Sequence, residues 1–211
     1  MANLEIVLYP HETLTRISRD LSLIEINSER FKHLVSEMYA IMYRMGGIGL
    51  AAPQVGANIR VIVLNPTGKR DFHSYAMCLV NPSVVPLEGR ETMPEGCLSI
   101  PSIFAPVTRT DLIHVKALDI TGAEQTFQCN GILSRIIQHE IDHLNGLTFL
   151  DRIDDASRDT IKLQWDEHLR RVERIREKQE KERKEKEAKD KKRKKDKERL
   201  KKQRRGNYGD W

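Results

Sequence analysis

The residues best suited to chemistry are two histidines four positions apart. His139-Glu140-Ile141-Asp142-His143 puts both imidazoles on one face of a helix, where they can reach a single metal ion. Glu140 directly follows the first and stands where a general base would work beside that ion. Ile136, Ile137, Ile141 and Leu144 surround the pair with apolar residues, as a buried metal helix requires. Asp142 reads as a partner for a ligand imidazole or as a solvated acid, with the first reading preferred.

Two histidines leave a catalytic site one protein ligand short. The one histidine downstream is His168, inside a charged stretch. Upstream stands Glu95-Gly96-Cys97-Leu98-Ser99-Ile100-Pro101, and a Cys97 thiolate would complete a Cys-His-His set with a fourth position left for water. Taken alone, Cys97 fits a small buried residue better, because free cysteines are commonly buried. Cys78 and Cys129 sit in strand-like apolar context and are read as core. Ligand chemistry by itself points to zinc.

A third segment is Gly47-Ile48-Gly49-Leu50-Ala51-Ala52-Pro53-Gln54-Val55-Gly56. Its small residues let another backbone approach closely, which suits a peptide-binding edge. They equally fit a glycine-rich turn packed on the preceding helix. Gln54 is uncharged and can donate an N–H to a developing oxyanion without quenching a metal. The segment lacks the Gly-Lys-Ser/Thr ending of a phosphate loop.

These residues need elements to hold them. Phe31, Leu34, Val35, Met38, Ile41, Met42 and Met45 recur at helical spacing, predicting a helix from a cap at Asn27 or Ser28 to the glycines at 46, 47 and 49. Strand-like runs come next at Arg60–Asn65, Ala76–Asn81, Ile113–Asp119 and Gln125–Cys129, with Thr121-Gly122 as a hairpin turn between the last two. The metal helix is expected to start at Asn130 as N-cap and to stop at Asn145-Gly146. Helix, several strands, helix is the order of an α+β fold, and the sheets are expected to be mainly antiparallel around the central helix that carries the histidine pair. No internal repeat is found.

All eight prolines lie at or before Pro106, and no Gly or Pro occurs from Leu147 through Arg205. A third helix is therefore predicted from Asp154–Ser157, with Ile161, Trp165, Leu169, Val172 and Ile175 as an apolar stripe that docks its first turns on the domain. Beyond Ile175 the stripe gives way to Glu177/Lys181, Glu180/Lys184, Glu182/Lys186, Glu185/Lys189 and Glu187/Lys191, each with Glu four residues before Lys. Each pair stabilises a helix by about 0.2–0.5 kcal/mol. From Lys191 onward the chain is nearly all basic and is expected to fray. About 50 helical residues would extend about 75 Å.

The 211 residues carry a net charge of +5, but that average joins two different polymers. Residues 170–205 hold 21 Lys+Arg and 9 Asp+Glu, whereas residues 1–169 hold 15 and 21. A uniformly basic nucleic-acid-binding domain is thereby disfavoured. The first 169 residues suffice for one domain with a real core. No run approaches the roughly 18 apolar residues of a membrane span. The start, Met1-Ala2-Asn3-Leu4-Glu5, lacks the basic and apolar regions of a secretory signal. Three sparse cysteines fit a reducing compartment rather than a disulfide framework. A cytoplasmic location is expected, or an organelle if a transit peptide has been removed.

Gly47–Gln54, Glu95–Ser99 and His139–His143 resemble, in order and interval, the three signature motifs of the peptide deformylases. The resemblance covers about residues 1–165, including Leu8-Tyr9-Pro10 and Gln138 through Gly146 around the metal helix. It implies a metal-dependent hydrolase that removes the formyl group from the N-terminal methionine of new polypeptides. It implies metal ligands Cys97, His139 and His143, Glu140 as acid and base, and an oxyanion site made by Gln54 and the Leu98 N–H. It further implies that the peptide lies along Gly47, Ile48 and Gly49, and that Ile48, Ile136 and His139 line the methionine pocket. One divalent ion is implied, Fe2+ physiologically, with Zn2+, Ni2+ or Co2+ as substitutes. Arg135 is expected to pair structurally rather than to form the pocket rim. Some bacterial members carry an acid and an arginine where this chain has Gly46 and Phe104, which bears on the rim and not on the chemistry.

Residues 1–169 are thus read as the catalytic domain and 170–211 as a basic, charged helix or tail. Bacterial deformylases resemble this chain in having a C-terminal helix that meets the ribosome, so the tail is expected to bind ribosomal RNA or protein during N-terminal processing. Two other classes compete: a zinc peptidase using the histidine pair, and a non-catalytic ribosome- or RNA-binding protein on the same fold. Cys97 and the missing downstream ligand argue against the first. The complete set of catalytic positions argues against the second.

Overall fold

The computed structural model describes residues 4–71 and 75–206, with side chains except those of residues 176, 179, 185–188 and 190–206. The chain divides into two compact units, Met1–Asp159 and Thr160–Trp211.

In the first unit, a short helix α1 (Leu23–Ile26) precedes α2 (Glu29–Arg44). Ser28, rather than Asn27, caps α2, its hydroxyl accepting the Phe31 N–H at 3.2 Å. The helical stripe is buried at Phe31, Val35, Met38, Ile41 and Met42. The helix ends as Gly46 takes a positive φ of 71°, with its N–H on the Tyr43 carbonyl at 3.2 Å. That turn delivers the next residues as an extended strand.

Five strands form one antiparallel sheet in the order β1 (Gly49–Ala51), β2 (Val61–Leu64), β3 (Met77–Cys97), β4 (Ile100–Leu118) and β5 (Glu124–Cys129). The unbroken apolar run of β2 is explained by burial on both faces. Val61 and Val63 join the α2 side chains in one core, while Ile62 and Leu64 join Ile136, Ile137, Ile141 and Leu144 in the other. Each such side chain contributes about 1.5–3 kcal/mol on burial.

β3 and β4 are far longer than the sequence pattern predicts. The expected Ala76–Asn81 run is the part of β3 that pairs with β2, and the expected Ile113–Asp119 run is the part of β4 that pairs with β5. The extra length is a ribbon with register shifts at Val80/Ser83, Pro86/Glu88 and Gly96/Cys97. Its tight end, Cys97↔Ile100, sets Cys97 at a fixed place against the metal helix. Thr121-Gly122 forms the β4–β5 turn, with Gly122 at φ 86° and the Asp119 carboxylate accepting the Thr121 N–H at 2.8 Å.

The central helix α3 (Gly131–Leu144) is buried from Ser134 through Leu144, Gln138 excepted. Its N-cap position is Asn130 as expected, but the Asn130 side chain makes no capping bond. The Gly131 N–H instead donates to Asp111 Oδ1 at 2.8 Å. After a turn of 3-10 helix at Phe149–Arg152, α4 spans Asp155–Gly206. It continues past Lys191, where fraying is expected from sequence. In the second unit Glu180 pairs with Lys184 at 3.4 Å and with Arg183 at 2.8 Å. Among the described residues Glu177 and Lys181 form no ion pair, and the pairs Glu182/Lys186, Glu185/Lys189 and Glu187/Lys191 involve side chains outside the described set.

Candidate metal centre

The helix places His139 and His143 side by side, their rings edge to face with centroids 5.1 Å apart. The end of β3 brings Cys97 to them, with Sγ 3.2 Å from His143 Nε2. One donor atom from each of the three lies within 4.8 Å of the others, and all three residues are buried. Burial opposes a thiolate, yet His143 and His139 hold the Cys97 thiol well below its ordinary value. Burial likewise opposes a charged imidazole, but hydrogen bonds to Cys97 and Glu95 and the charge of Glu140 raise His139 to about 10. The thiolate and the neighbouring carboxylates thus favour positive charge beside them.

A divalent transition ion fits these residues. A thiolate and two imidazoles suit such an ion and not magnesium or calcium. Three donors leave a coordination position open. Two buried polar atoms, His143 Nδ1 and Glu140 Oε2, have no hydrogen-bond partner among the described residues. Burial also pushes the Glu140 carboxyl up to about 7, against the pull of both imidazoles.

An ionic network that the sequence reading missed supports the ligands. Glu95 Oε2 meets His139 Nδ1 at 3.0 Å. Arg109 donates to both oxygens of Glu95, Nε to Oε1 at 2.9 Å and Nη2 to Oε2 at 2.8 Å. Its Nη1 donates to Asp142 Oδ2 at 2.6 Å, which ties β4 to α3. Arg135 donates to Glu95 Oε1 at 2.6 Å and to the carbonyls of Val107 and Glu91. Arg135 therefore pairs structurally, as preferred from sequence, and it also borders the cavity beside the donors. Burial opposes the Glu95 charge, but Arg109 and His139 keep its carboxyl below the usual carboxylate range. The expectation for Asp142 is corrected. Among the described residues it holds no imidazole and takes Arg109 and Arg152 instead, while Glu95 is the carboxylate on the ligand histidine.

Around the cluster lies a cavity of about 510 Å³ lined by Gly47, Ile48, Gly49, Gln54, Leu98 and Ile136, together with His139 and Glu140. Gln54 sits in a 3-10 turn (Ala52–Val55) and is fixed by its side-chain oxygen Oε1, which accepts the Ala51 N–H at 2.8 Å. Its amide nitrogen is thereby turned to Cys97 Sγ and Ser99 Oγ, at 3.3 Å each. Gly49 abuts the metal helix so closely that an added Cβ would meet the Glu140 carboxylate and lie 2.8 Å from Ile136 Cγ2. The second edge of β1, the first strand of the sheet, carries no ladder partner among the described residues. His168 stacks on Trp165 at 5.2 Å in the second unit. Cys78 and Cys129 are free thiols that burial pushes up to about 12 and about 11.

The sequence model of the polypeptide deformylases matches residues 3–159. The chain belongs to the polypeptide deformylase family. A peptide deformylase of Rhodopirellula baltica is 39% identical over 150 residues, covering 71% of this chain and 73% of that one. One from Neisseria gonorrhoeae is 38% identical over 162 residues, covering 77% and 93%. The crystal structure of a peptide deformylase from Legionella pneumophila superposes with a TM-score of 0.74 at 33% identity, covering 82% of this chain and 99% of that one.

Within this deformylase fold, Gly46 and Phe104 have distinct surroundings. Gly46 is the left-handed residue that ends α2. Phe104 is 69% exposed and lays its ring over Gly96, where an added Cβ would come within 2.6 Å of it. Both line the same cavity.

Proposed function

We propose that this metal-dependent hydrolase removes the N-formyl group from the N-terminal methionine of newly synthesised polypeptides and releases formate. The observation that carries the reading is that Cys97, His139, the Glu140 carboxyl and the Gln54 amide line one cavity, with His143 joining Cys97 and His139 in the donor cluster, beside a strand edge that has no ladder partner among the described residues.

Cys97, His139 and His143 would hold one divalent ion, Fe2+ in the cell, with Zn2+, Ni2+ or Co2+ able to take its place. When bound, such an ion supplies Lewis acidity, activating water and polarising the formyl oxygen. The peptide backbone adds as a strand along Gly47, Ile48 and Gly49. Its methionine side chain enters the apolar part of the cavity at Ile48 and Ile136. Glu140 takes the proton of the attacking water as that water adds to the formyl carbon. The amide of Gln54 and the N–H of Leu98 donate to the oxyanion that develops there. Glu140 then gives the proton to the leaving nitrogen, the C–N bond breaks, and formate departs. Release of formate from formyl-Met-Ala-Ser, with metal analysis of the same sample, tests this. Release of a free amino acid instead would favour a peptidase.

The reading extends to where the enzyme works. Residues 170–205, with 21 basic and 9 acidic residues, come directly after residues 1–169, which hold 15 basic and 21 acidic. This tail would bind ribosomal RNA through its phosphates and concentrate the enzyme on nascent chains in the cytoplasm. Co-sedimentation with ribosomes of the full chain and of a chain ending at Leu169, at two salt concentrations, tests it. Equal retention of both rules it out.

A further inference from the structure

Arg152 ends the 3-10 turn that precedes α4. The turn is firmly held: the Thr148 N–H donates to Asp151 Oδ2 at 2.8 Å, and Arg158 Nε donates to the Leu150 carbonyl at 2.7 Å. From it the guanidinium forks onto Asp142, Nε to Oδ2 at 3.0 Å and Nη2 to Oδ1. The Arg152 side chain is 43% exposed and that of Asp142 is 4% exposed. A surface ion pair contributes little, but this one neutralises a buried carboxylate.

Two buried carboxylates, Glu95 and Asp142, compete for Arg109. Glu95 has Arg135 and His139 in addition. The Asp142 side chain has, among the described residues, only Arg109 and Arg152. Without Arg152, Asp142 would draw Arg109 toward itself. The bond that slackens is Arg109 Nη2 to Glu95 Oε2, and that same oxygen holds His139. We infer that Arg152 is a positioning residue for His139, acting through Asp142, Arg109 and Glu95. It touches neither the donor cluster nor the cavity lining, and it is the one side chain of this chain of contacts that reaches solvent to a large extent. The inference rests on the metal reading under the proposed function.

The test uses the full chain loaded with Ni2+. Arg152→Gln is expected to lose Ni2+ to EDTA about tenfold faster than the parent, the lower end of the range for removing a group bonded to a ligand. Deformylation should fall in kcat with KM for formyl-Met-Ala-Ser unchanged, because Arg152 is remote from the peptide edge. The thermal midpoint of the metal-free chain should stay in place. Arg152→Lys, which keeps the charge and loses the fork, should fall between. In an Asp142→Asn background the Arg152 substitution should add nothing. Metal loss within about twofold of the parent overturns the inference, set against the tenfold expected. So does faster loss matched by an equal drop in metal-free stability. If the parent itself retains no Ni2+, the metal reading falls with it; if the parent retains it and Arg152→Gln does so equally, only this inference falls.

Discussion

Glu95 Oε2 and His139 Nδ1 are 3.0 Å apart, which leaves Nε2 as the ring's remaining donor. The carboxylate is itself fixed by four donors from Arg109, Arg135 and His139. Glu95→Gln keeps the shape but loses the charge that both arginines face. Metal retention should weaken about 10- to 100-fold, measured by competition with a chelator.

Glu140 carries a buried oxygen beside the donors that has no hydrogen-bond partner among the described residues. Glu140→Gln should retain a full equivalent of metal yet lower kcat about 100- to 10,000-fold, the range for a positioned acid–base group. Metal content and formate release, measured on one preparation, separate the two effects. Retained activity would contradict the assignment.

Gly49 leaves no room for a side chain against Glu140 and Ile136. Gly49→Ala should cost about 1–3 kcal/mol as overpacking. Because the displaced atoms include the Glu140 carboxylate, activity should fall further than the thermal midpoint implies. Parallel kinetic and unfolding measurements read the difference.

Alkaline pH should destabilise the chain through Cys78. Burial, aided by the charge of Asp119, pushes its thiol from the ordinary 9.0 up to about 12. The folded state therefore holds the proton more tightly than the unfolded chain. Stability is intact below about pH 9 and declines as the pH rises through the interval to the folded value. Tyr39, raised by burial and by Cys78, adds to the decline at higher pH. Cys78→Ala should flatten the slope of unfolding free energy against pH above 9, the ordinary thiol value that the native fold displaces.

What could be read before the fold was known were the local features. Spacing of four on a helix joins His139 to His143 without knowledge of the sheet, and Ser28 and Gly46 mark the ends of α2 by their own chemistry. β2 announces itself because both faces are buried. The β3 arm of the ribbon does not, since much of its middle is exposed and shows neither an apolar run nor an alternation, while β4 alternates buried and exposed residues from Ser102 to Arg109 without an unbroken apolar run. Its partners lie across a hairpin, so its length depends on pairing rather than on composition. The same gap hid Glu95 and Arg109. Each is an ordinary charged residue until the register Glu95↔Ala105 and the passage of β4 beside α3 bring them to His139 and Asp142. Asp142 lies closer in sequence to the ligands and drew the expectation that belonged to Glu95.

β1 is three residues long and gives way at once to the 3-10 turn that carries Gln54. An edge of that size offers ladder bonds to about 10 Å of incoming backbone. On the proposed strand addition it would grip the first residues of a peptide and little beyond them. An enzyme with so short a grip discriminates by the first residues of a chain and stays indifferent to the rest of it. That suits the proposed work on newly synthesised polypeptides of differing sequence.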